Sequence, residues 1–305
     1  MPPTPYPWKE VHAVRRFIAF VVVLCAVVIL GALLPHWRQD RRVHAGTQSR
    51  GNWTTGNCPD SDRNAWGHWG AVHECQLRRA TLTLNGNPLS VSSTNGSIHV
   101  IGQDRSDVEL EASVNVWASS NREADRLLRS IQVHTANGDI YDRGPHFFFF
   151  SGYSVNYRLL VPRGITGHFS NTNGGIALDH LNGKVRFGNT NGGVTLRSMN
   201  GDVQGHSING GIQITLAGDT WQGAGLRADT TNGGIDLRVP DQYSAHVDAG
   251  TVNGGISASF PVNVQGNVRN HLDANLGNGG PTIHLQTVNG GISIAHPGPG
   301  SGKAD

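Results

Sequence analysis

The stretch that decides the fold is NGGIALDHLNGKVRFGNTNGGVTLRSMNGDVQGHSINGGIQI, residues 173–214. It contains five Asn-Gly pairs at intervals of nine residues, which begin at Asn173, Asn182, Asn191, Asn200 and Asn209. The residue after each pair alternates between glycine and a charged residue: Gly175, Lys184, Gly193, Asp202 and Gly211. The repeating unit is therefore 18 residues long and has two unequal halves, a self-similarity that is typical of repeat architectures.

The phase of the apolar residues distinguishes a meander of hairpins from a stack of coils. Counted from each Asn, apolar residues stand at +3 (Ile176, Val185, Val194, Val203, Ile212), at +5 (Leu178, Phe187, Leu196, Ile214) and mostly at +8 (Leu181, Met199, Ile208). A hairpin meander needs apolar residues at even steps, whereas the step from +5 to +8 is odd. The break implies a second corner and short strands. We therefore expect an all-β protein built as a β-solenoid, or β-helix-like fold, whose coils bury apolar residues by stacking on one another.

Asn-Gly pairs mark the predicted corners of the coils. Asn-Gly suits a corner because both residues tolerate positive φ, and we expect the next glycine along the chain to let successive coils approach closely. Stacked Asn side chains could also hydrogen-bond along the stack. Calcium-binding nonapeptide rolls carry a further glycine after their Gly-Gly pair and an Asp at a fixed position. The units here lack both, so we expect no calcium. The predicted corner residues are Asn173, Gly174, Asn182, Gly183, Asn191, Gly192, Asn200, Gly201, Asn209, Gly210, Asn232, Gly233, Asn253, Gly254, Asn289 and Gly290.

The solenoid is predicted at 166–296, and the segment before it, 75–165, is predicted to be a β-rich cap. Alternating apolar residues predict a strand at 108–117, and the pattern of 120–131 predicts one short helix with Asn121 as its candidate N-cap. A cap is expected because the end of a stack exposes an unpaired edge. The Pro and Gly residues of 297–305 predict a flexible tail.

The N-terminal region carries a membrane-spanning signal. Residues 17–34 form an 18-residue uncharged stretch, which as a helix would reach about 27 Å. We predict a cytoplasmic tail at 1–16, one transmembrane helix that serves as a signal anchor at 17–36, and a Gly/Trp/Asn-rich linker at 37–74. Cleavage after Ala45 is the alternative, but that site lies far beyond the apolar stretch. A lipoprotein signal at Cys25 is disfavoured because Leu24 precedes it. An N-terminal anchor normally exports the domain on its C-terminal side, so we expect that domain to be periplasmic or on the cell surface.

Two cysteines are consistent with export of the C-terminal domain. Cys58 and Cys75 are 17 residues apart in a segment that could not pack a core of its own, so a candidate disulfide is the simplest expectation in an oxidising compartment. A zinc site with His68 and His73 is the alternative. Because that spacing matches no common zinc template, no metal and no cofactor are expected.

Composition excludes several classes of function. The chain of 305 residues has 41 glycines, 15% charged residues and a formal net charge of +2. These values exclude a charged coiled coil, and the near-neutral charge gives no reason to expect nucleic acid as a partner. A turn-rich β protein is the class that accommodates such a composition.

Four segments together resemble a known family: TTNGGIDLRVP (230–240), GTVNGGIS (250–257), FPVNVQG (260–266) and HECQLRRATLTL (73–84). They are similar to the bacterial putative-adhesin family of β-strand-repeat envelope proteins, and the resemblance covers about residues 73–295. It implies a β-solenoid on the outer side of the cytoplasmic membrane. Members are often named for adhesion and sometimes linked to envelope stress. Because the family has no agreed biochemical activity, the resemblance implies no catalytic residues.

The sequence shows no clear catalytic site. The Asp and His residues Asp179, His180, Asp202, His206 and Asp236 do not share one position relative to their preceding Asn, as the side chains of a site on neighbouring coils should. No catalytic motif is present, so we expect no catalytic residues. One unusual feature remains, a run of four aromatic residues that is a candidate contact patch if it is not part of the cap's core: Phe147, Phe148, Phe149 and Phe150.

The sequence therefore predicts a membrane-anchored, extracytoplasmic, non-catalytic and adhesin-like module that binds cell-wall glycan or an envelope protein. The alternative is an accessory protein of envelope-stress signalling that acts through a membrane protein partner. A β-helix enzyme that acts on glycans is the third hypothesis.

Overall fold

The computed structural model describes residues 53–58, 71–145, 151–259 and 270–296. They all lie in one compact unit of the chain, Ser49–Asp305. The predicted cytoplasmic tail, signal anchor and C-terminal tail lie outside the described residues, as do His68 and the Phe147–Phe150 patch. In the part of the chain that is described, no helix combines the length and the apolar character needed to cross a membrane.

The described residues form 21 β-strands and one α-helix, α1, so the prediction of an all-β fold with one short helix is confirmed. Their bounds are β1 Thr54–Asn57, β2 Val72–Leu82, β3 Leu89–Asn95, β4 Ile98–Gln103, β5 Val108–Ala118, α1 Asn121–Ser130, β6 Gln132–Ala136, β7 Asp139–Arg143, β8 Gly152–Pro162, β9 Gly167–Asn173, β10 Ile176–Asp179, β11 Lys184–Asn191, β12 Val194–Arg197, β13 Asp202–Asn209, β14 Ile212–Thr215, β15 Gly225–Asn232, β16 Ile235–Arg238, β17 Ala245–Asn253, β18 Ile256–Ala258, β19 His271–Leu276, β20 Thr282–Asn289 and β21 Ile292–Ala295.

Two sheets organise these strands. Sheet A has 11 strands in the order β1-β2-β5-β8-β4-β10-β12-β14-β16-β21-β18, and sheet B has 10 in the order β19-β17-β20-β15-β13-β11-β9-β3-β7-β6. Each coil contributes one strand to sheet B and the next strand to sheet A, and equivalent strands of neighbouring coils pair in parallel. Asn173 is opposite Asn191, and Asn191 is opposite Asn209, so the register equals the 18-residue period. The stack is β-solenoid-like.

Seven coils have this form, and their order in space differs from their order in sequence. The first coil is β3–β4, and Asn95 pairs with Asn173 of the next coil. The last coil along the chain, β20–β21, lies between β15–β16 and β17–β18. The antiparallel strand β19 then flanks β17 at the end of sheet B.

The core lies along the inside of the coils. All residues predicted at +3 and +5 are buried, and so are Leu181 and Met199 at +8. Ile208 is the exception, because it stands in β13 on the outer side and is only partly buried. Ile208 and Leu181 are both eight residues after an Asn, but Asn200 stands at a second corner and Asn173 at a first corner. The two side chains therefore lie at different points of a coil.

The cap packs antiparallel strands and α1 at the start of the stack. β5 pairs with both β2 and β8, and its predicted apolar face is fully buried. Ser120 caps α1, not Asn121, because the Ser120 side chain accepts a hydrogen bond from the Glu123 N–H. At the other end of α1, Arg78 donates hydrogen bonds to the carbonyls of Leu128 and Ile131.

Cys58 and Cys75 form a disulfide, which links the start of the described chain to β2. Their sulfurs are bonded to each other, so the alternative of a zinc site that uses both cysteines does not fit this arrangement.

Candidate functional site

The coils turn at two corners. At the first corner, the sheet B strand of each of the seven coils ends in Asn and continues through Gly and one further residue into a sheet A strand. At the second corner, the chain returns to sheet B. Asn182 and Asn200 stand at second corners, and the other predicted Asn stand at first corners.

The first glycine of each first corner lies against the neighbouring coil. A Cβ on Gly174 would overlap the carbonyl oxygen of Gly96, and one on Gly192 would overlap that of Gly174. Gly174 and Gly192 also have positive φ, 136° and 138°, whereas none of the first-corner Asn residues does. The expectation that the second glycine makes the close approach is therefore wrong, because the first glycine makes it. The first-corner Asn residues do not use their tolerance of positive φ.

Buried polar side chains hold these corners from inside. Asn189 donates hydrogen bonds to the carbonyls of Gly174 and Gly192 at 3.0 and 2.8 Å, and Thr230 donates to the carbonyl of Gly210 at 2.8 Å. The sequence signal was available, because a small polar residue stands two positions before every first-corner Asn. The set is Ser93, Asn171, Asn189, Ser207, Thr230, Thr251 and Thr287, all of them buried.

A second ladder runs along the outside of the first corner. Asn191 donates to Asn173 at 2.9 Å, and Asn209 donates to Asn191 at 3.0 Å. The ladder continues without a break through the seven coils, so the predicted bonding between stacked Asn side chains is confirmed. Its members in spatial order are Asn95, Asn173, Asn191, Asn209, Asn232, Asn289 and Asn253.

Beside the outer ladder lies a depression of about 610 Å³, which we call the corner trough. It crosses five neighbouring strands of sheet A, β12, β14, β16, β21 and β18. At a strand spacing of about 4.8 Å, five strands extend over about 19 Å. Its residues include the second glycine of each corner: Gly193, Gly211, Gly234, Gly291 and Gly255.

The other groups that line the corner trough are neutral or paired. Thr195 and Gln213 are uncharged, and the Asp236 carboxylate pairs with Arg238 at 3.3 Å. The apolar positions at +3, such as Val194 and Ile212, are buried beneath it. The trough therefore presents hydrogen-bonding groups along a straight line with little net charge, which suits a long and neutral ligand.

Two further depressions, of about 420 and 430 Å³, lie on the outer side of sheet B, and His168 and His206 line both of them. The charged groups here pair with one another: Arg186 with Asp202 at 3.1 Å, and Arg227 with Asp229 at 2.9 Å. The five Asp and His residues named from the sequence share no common position in the coils, but other outer residues of sheet B do. Counted backward from the first-corner Asn, one row of outer positions is aligned, namely His168, Arg186, Gln204, Arg227, His284 and Asp248.

Asp179, which lies outside these depressions, also pairs with neighbouring side chains. Burial alone would raise the pKa of Asp179, but its hydrogen bond with His99 and the charges of His99 and Arg197 outweigh burial and lower that pKa. The distances to Asp179 are 2.6 Å from His99 Nε2 and 3.4 Å from Arg197 Nη1. Within 53–58, 71–145, 151–259 and 270–296, no group of three or more His, Cys, Asp or Glu side chains is arranged to hold a metal ion.

Fold and surface together define a β-solenoid-like repeat protein with a depression that runs along its glycine corners. Residues 166–295 match the model of the family described as Toastrack DUF4097. The resemblance to the bacterial putative-adhesin family is confirmed.

Several solved bacterial structures are similar to this chain. A putative cell adhesion protein from Clostridium sporogenes has 9% identity and a TM-score of 0.41, covering 74% of this chain and 100% of its own. A putative adhesin from Bacteroides fragilis has 11% identity and a TM-score of 0.27, covering 72% and 97%. A putative lipid binding protein from Parabacteroides distasonis has 8% identity and a TM-score of 0.24, covering 76% and 98%. None of these three names describes an enzyme. No curated protein matches the chain.

Proposed function

We propose that the protein is a membrane-anchored, extracytoplasmic and adhesin-like module without catalytic activity, and that its corner trough binds a linear glycan of the cell wall. The observation that carries this proposal is the shape of the trough. It runs in one line across five coils, over about 19 Å, and a compact small molecule would occupy only part of it.

The absence of a catalytic role is proposed from the acidic groups near the trough. Glycoside hydrolysis normally requires two carboxylates that flank the scissile bond. Among the described residues that line the trough, Asp236 is the one acidic residue, and it pairs with Arg238. Binding without turnover is therefore the simplest activity for this surface.

The location is proposed from two features of the N-terminal part. The uncharged stretch 17–34 has the length of a membrane span. The Cys58–Cys75 disulfide is the form expected in an oxidising compartment outside the cytoplasm. Both features favour an anchor in the cytoplasmic membrane, with the stack on its outer side.

Co-sedimentation of the full chain, purified in detergent and kept oxidised, with purified cell wall tests the proposal. We expect saturable binding that Gly193→Leu abolishes, because its side chain enters the trough. Gly188→Leu is the matched control, because Gly188 lies on sheet B outside the trough and has room for a Cβ. Absence of saturable binding, or equal loss in both variants while circular dichroism shows intact folds, would contradict the proposal. In that case crosslinking in cells would next test the alternative of a membrane protein partner in envelope-stress signalling.

A further inference from the structure

The corner trough exposes a row of backbone N–H groups without partners. The first glycine of a corner donates to the next coil, as Gly174 N does to Asn191 O at 2.9 Å. The residue at +3 also donates, as Ile176 N does to Gly193 O at 3.1 Å. Between them, the N–H of the second glycine donates no hydrogen bond in any of the six coils that have one in the described chain. These six are Gly175, Gly193, Gly211, Gly234, Gly291 and Gly255.

The first coil shows what kind of group such an N–H receives. There the equivalent residue is Ser97, and its N–H donates to the side-chain amide oxygen of Asn156 at 2.9 Å. The Ser97 hydroxyl lies 3.1 Å from the same oxygen. Asn156 belongs to β8, which flanks β4, and it is a partly exposed residue of that strand. An amide carbonyl can therefore reach this position of the corner from the outer side.

Neither the backbone conformation nor a severe steric overlap requires glycine at the second-glycine positions. None of the six has positive φ. A Cβ on Gly193 would lie 3.7 Å from the nearest atom, the Gly211 oxygen, and one on Gly255 would meet nothing within 4 Å. At Gly211, Gly234 and Gly291 the nearest backbone oxygen would be 3.2 Å away, a close contact that requires a shift of a few tenths of an ångström but is far looser than at the first glycines. Glycine recurs where the N–H is open, and serine stands where Asn156 covers it.

The row offers donors but few acceptors. The carbonyl of Gly193 already accepts from Ile176 N, and that of Gly211 accepts from Val194 N. An extended peptide that adds to a sheet needs donors and acceptors in alternation, so the row does not suit a peptide strand. A polyanion gains little either, since Asp236 offsets Arg238.

We propose that the corner trough recognises the acetamido groups of an N-acetylated glycan, whose carbonyl oxygens accept hydrogen bonds from the second-glycine N–H groups as Asn156 does from Ser97. The inference rests on the proposed binding of cell-wall glycan and names the chemical group that is bound. An acetamido group and the Asn side chain present the same amide carbonyl, and successive N–H groups at about 4.8 Å would meet carbonyls carried along one chain.

The test uses the full chain labelled with [15N]glycine, in detergent and oxidised, titrated with a hexamer of N-acetylglucosamine and with the same hexamer after removal of its acetyl groups. We expect the largest amide shifts at Gly193, Gly211 and Gly234, smaller ones at first glycines such as Gly192, and at least tenfold weaker binding of the deacetylated hexamer. Gly193→Leu should lose the response, and Gly188→Leu should keep it.

A second variant probes the role of Asn156. In Asn156→Ala, the Ser97 N–H becomes open, so a [15N]serine sample should show a Ser97 shift with the acetylated hexamer that the unaltered chain lacks. Equal binding of both hexamers, or shifts that concentrate on sheet B, would overturn the inference. If purified wall binds but neither hexamer does, the acetamido inference fails while the proposed function stands. If wall does not bind either, both fail.

Discussion

The two corners of the coil are held together in different ways. At the first corner, glycine backbone lies against glycine backbone through all seven described coils. At the second corner, such contact runs from Gly183 through Gly201 to Gly223. Large buried side chains also occupy this corner: Trp221 in the same loop as Gly223, where it donates to the Gly201 carbonyl, and Tyr243 in the loop before β17. A contact between backbones leaves no choice of residue, whereas a contact made by side chains can accommodate insertions such as the segment around Trp221.

Substitution of the first glycine of a first corner should have the largest effect. In Gly192→Ala, the Cβ would overlap the Gly174 carbonyl and the residue would keep a φ of 138°. We expect a loss of about 3 kcal/mol in the free energy of unfolding, measured by urea denaturation of the full chain in detergent. The matched control is Gly193→Ala, one residue further on, which should change that free energy by less than about 0.5 kcal/mol. Equal effects at the two positions would show that the first corner is not held by backbone contact.

The two ladders at the first corner should differ in strength. Asn189 is buried and donates to the carbonyls of two coils, whereas Asn191 is exposed. Because Asn189→Ala would leave the Gly174 carbonyl without its partner, while the Gly192 carbonyl would keep the hydroxyl of Ser207 at 3.3 Å, we expect it to lower the free energy of unfolding by about 2 kcal/mol, against about 0.5 kcal/mol for Asn191→Ala. Urea denaturation measures both. The reverse order would mean that the outer ladder is the main connection between coils.

The smallest loss expected for a residue that holds a corner concerns Asp179, which precedes a second corner and is buried. Its pKa is lowered in the folded protein, so its contribution to stability is present above the ordinary pKa of Asp, about 3.9, and is lost as the pH falls through the folded pKa. Asp179→Asn should therefore cost about 1 kcal/mol at pH 7 and progressively less below about pH 4. Thermal unfolding of both proteins between pH 3 and 7 measures this difference. A cost that is independent of pH would exclude the carboxylate as its source.

Much of the architecture can be inferred from the sequence because it depends on local spacing. The 18-residue period and the odd apolar step identify coils, buried positions and corners, and Asn189 could have been identified from its place two residues before Asn191. Long-range order could not be found in this way. Nothing in the repeat around Asn289 shows that its coil lies next to Asn232, because every coil presents nearly the same edges to its neighbours.

The corner trough could not be predicted from the sequence either. The repeat pattern predicts that the second glycine lets the coils approach closely, but the first glycine makes that contact. The covered position at Ser97 depends on Asn156, which is 59 residues away along the chain. Such a contact appears only when the cap and the first coil are seen together, and it distinguishes the covered corner from the open ones.

The position of β20–β21 between two earlier coils has a consequence for biogenesis. A chain synthesised from its N-terminus can add its early coils one by one, but β17–β18 meets the earlier coils only through β20 and β21, which come later in the chain. Completion of the stack is therefore a closing event rather than one further increment. Truncation before Thr282 would remove two coils from the stack instead of one, because β17–β18 would lose the coil on which it docks.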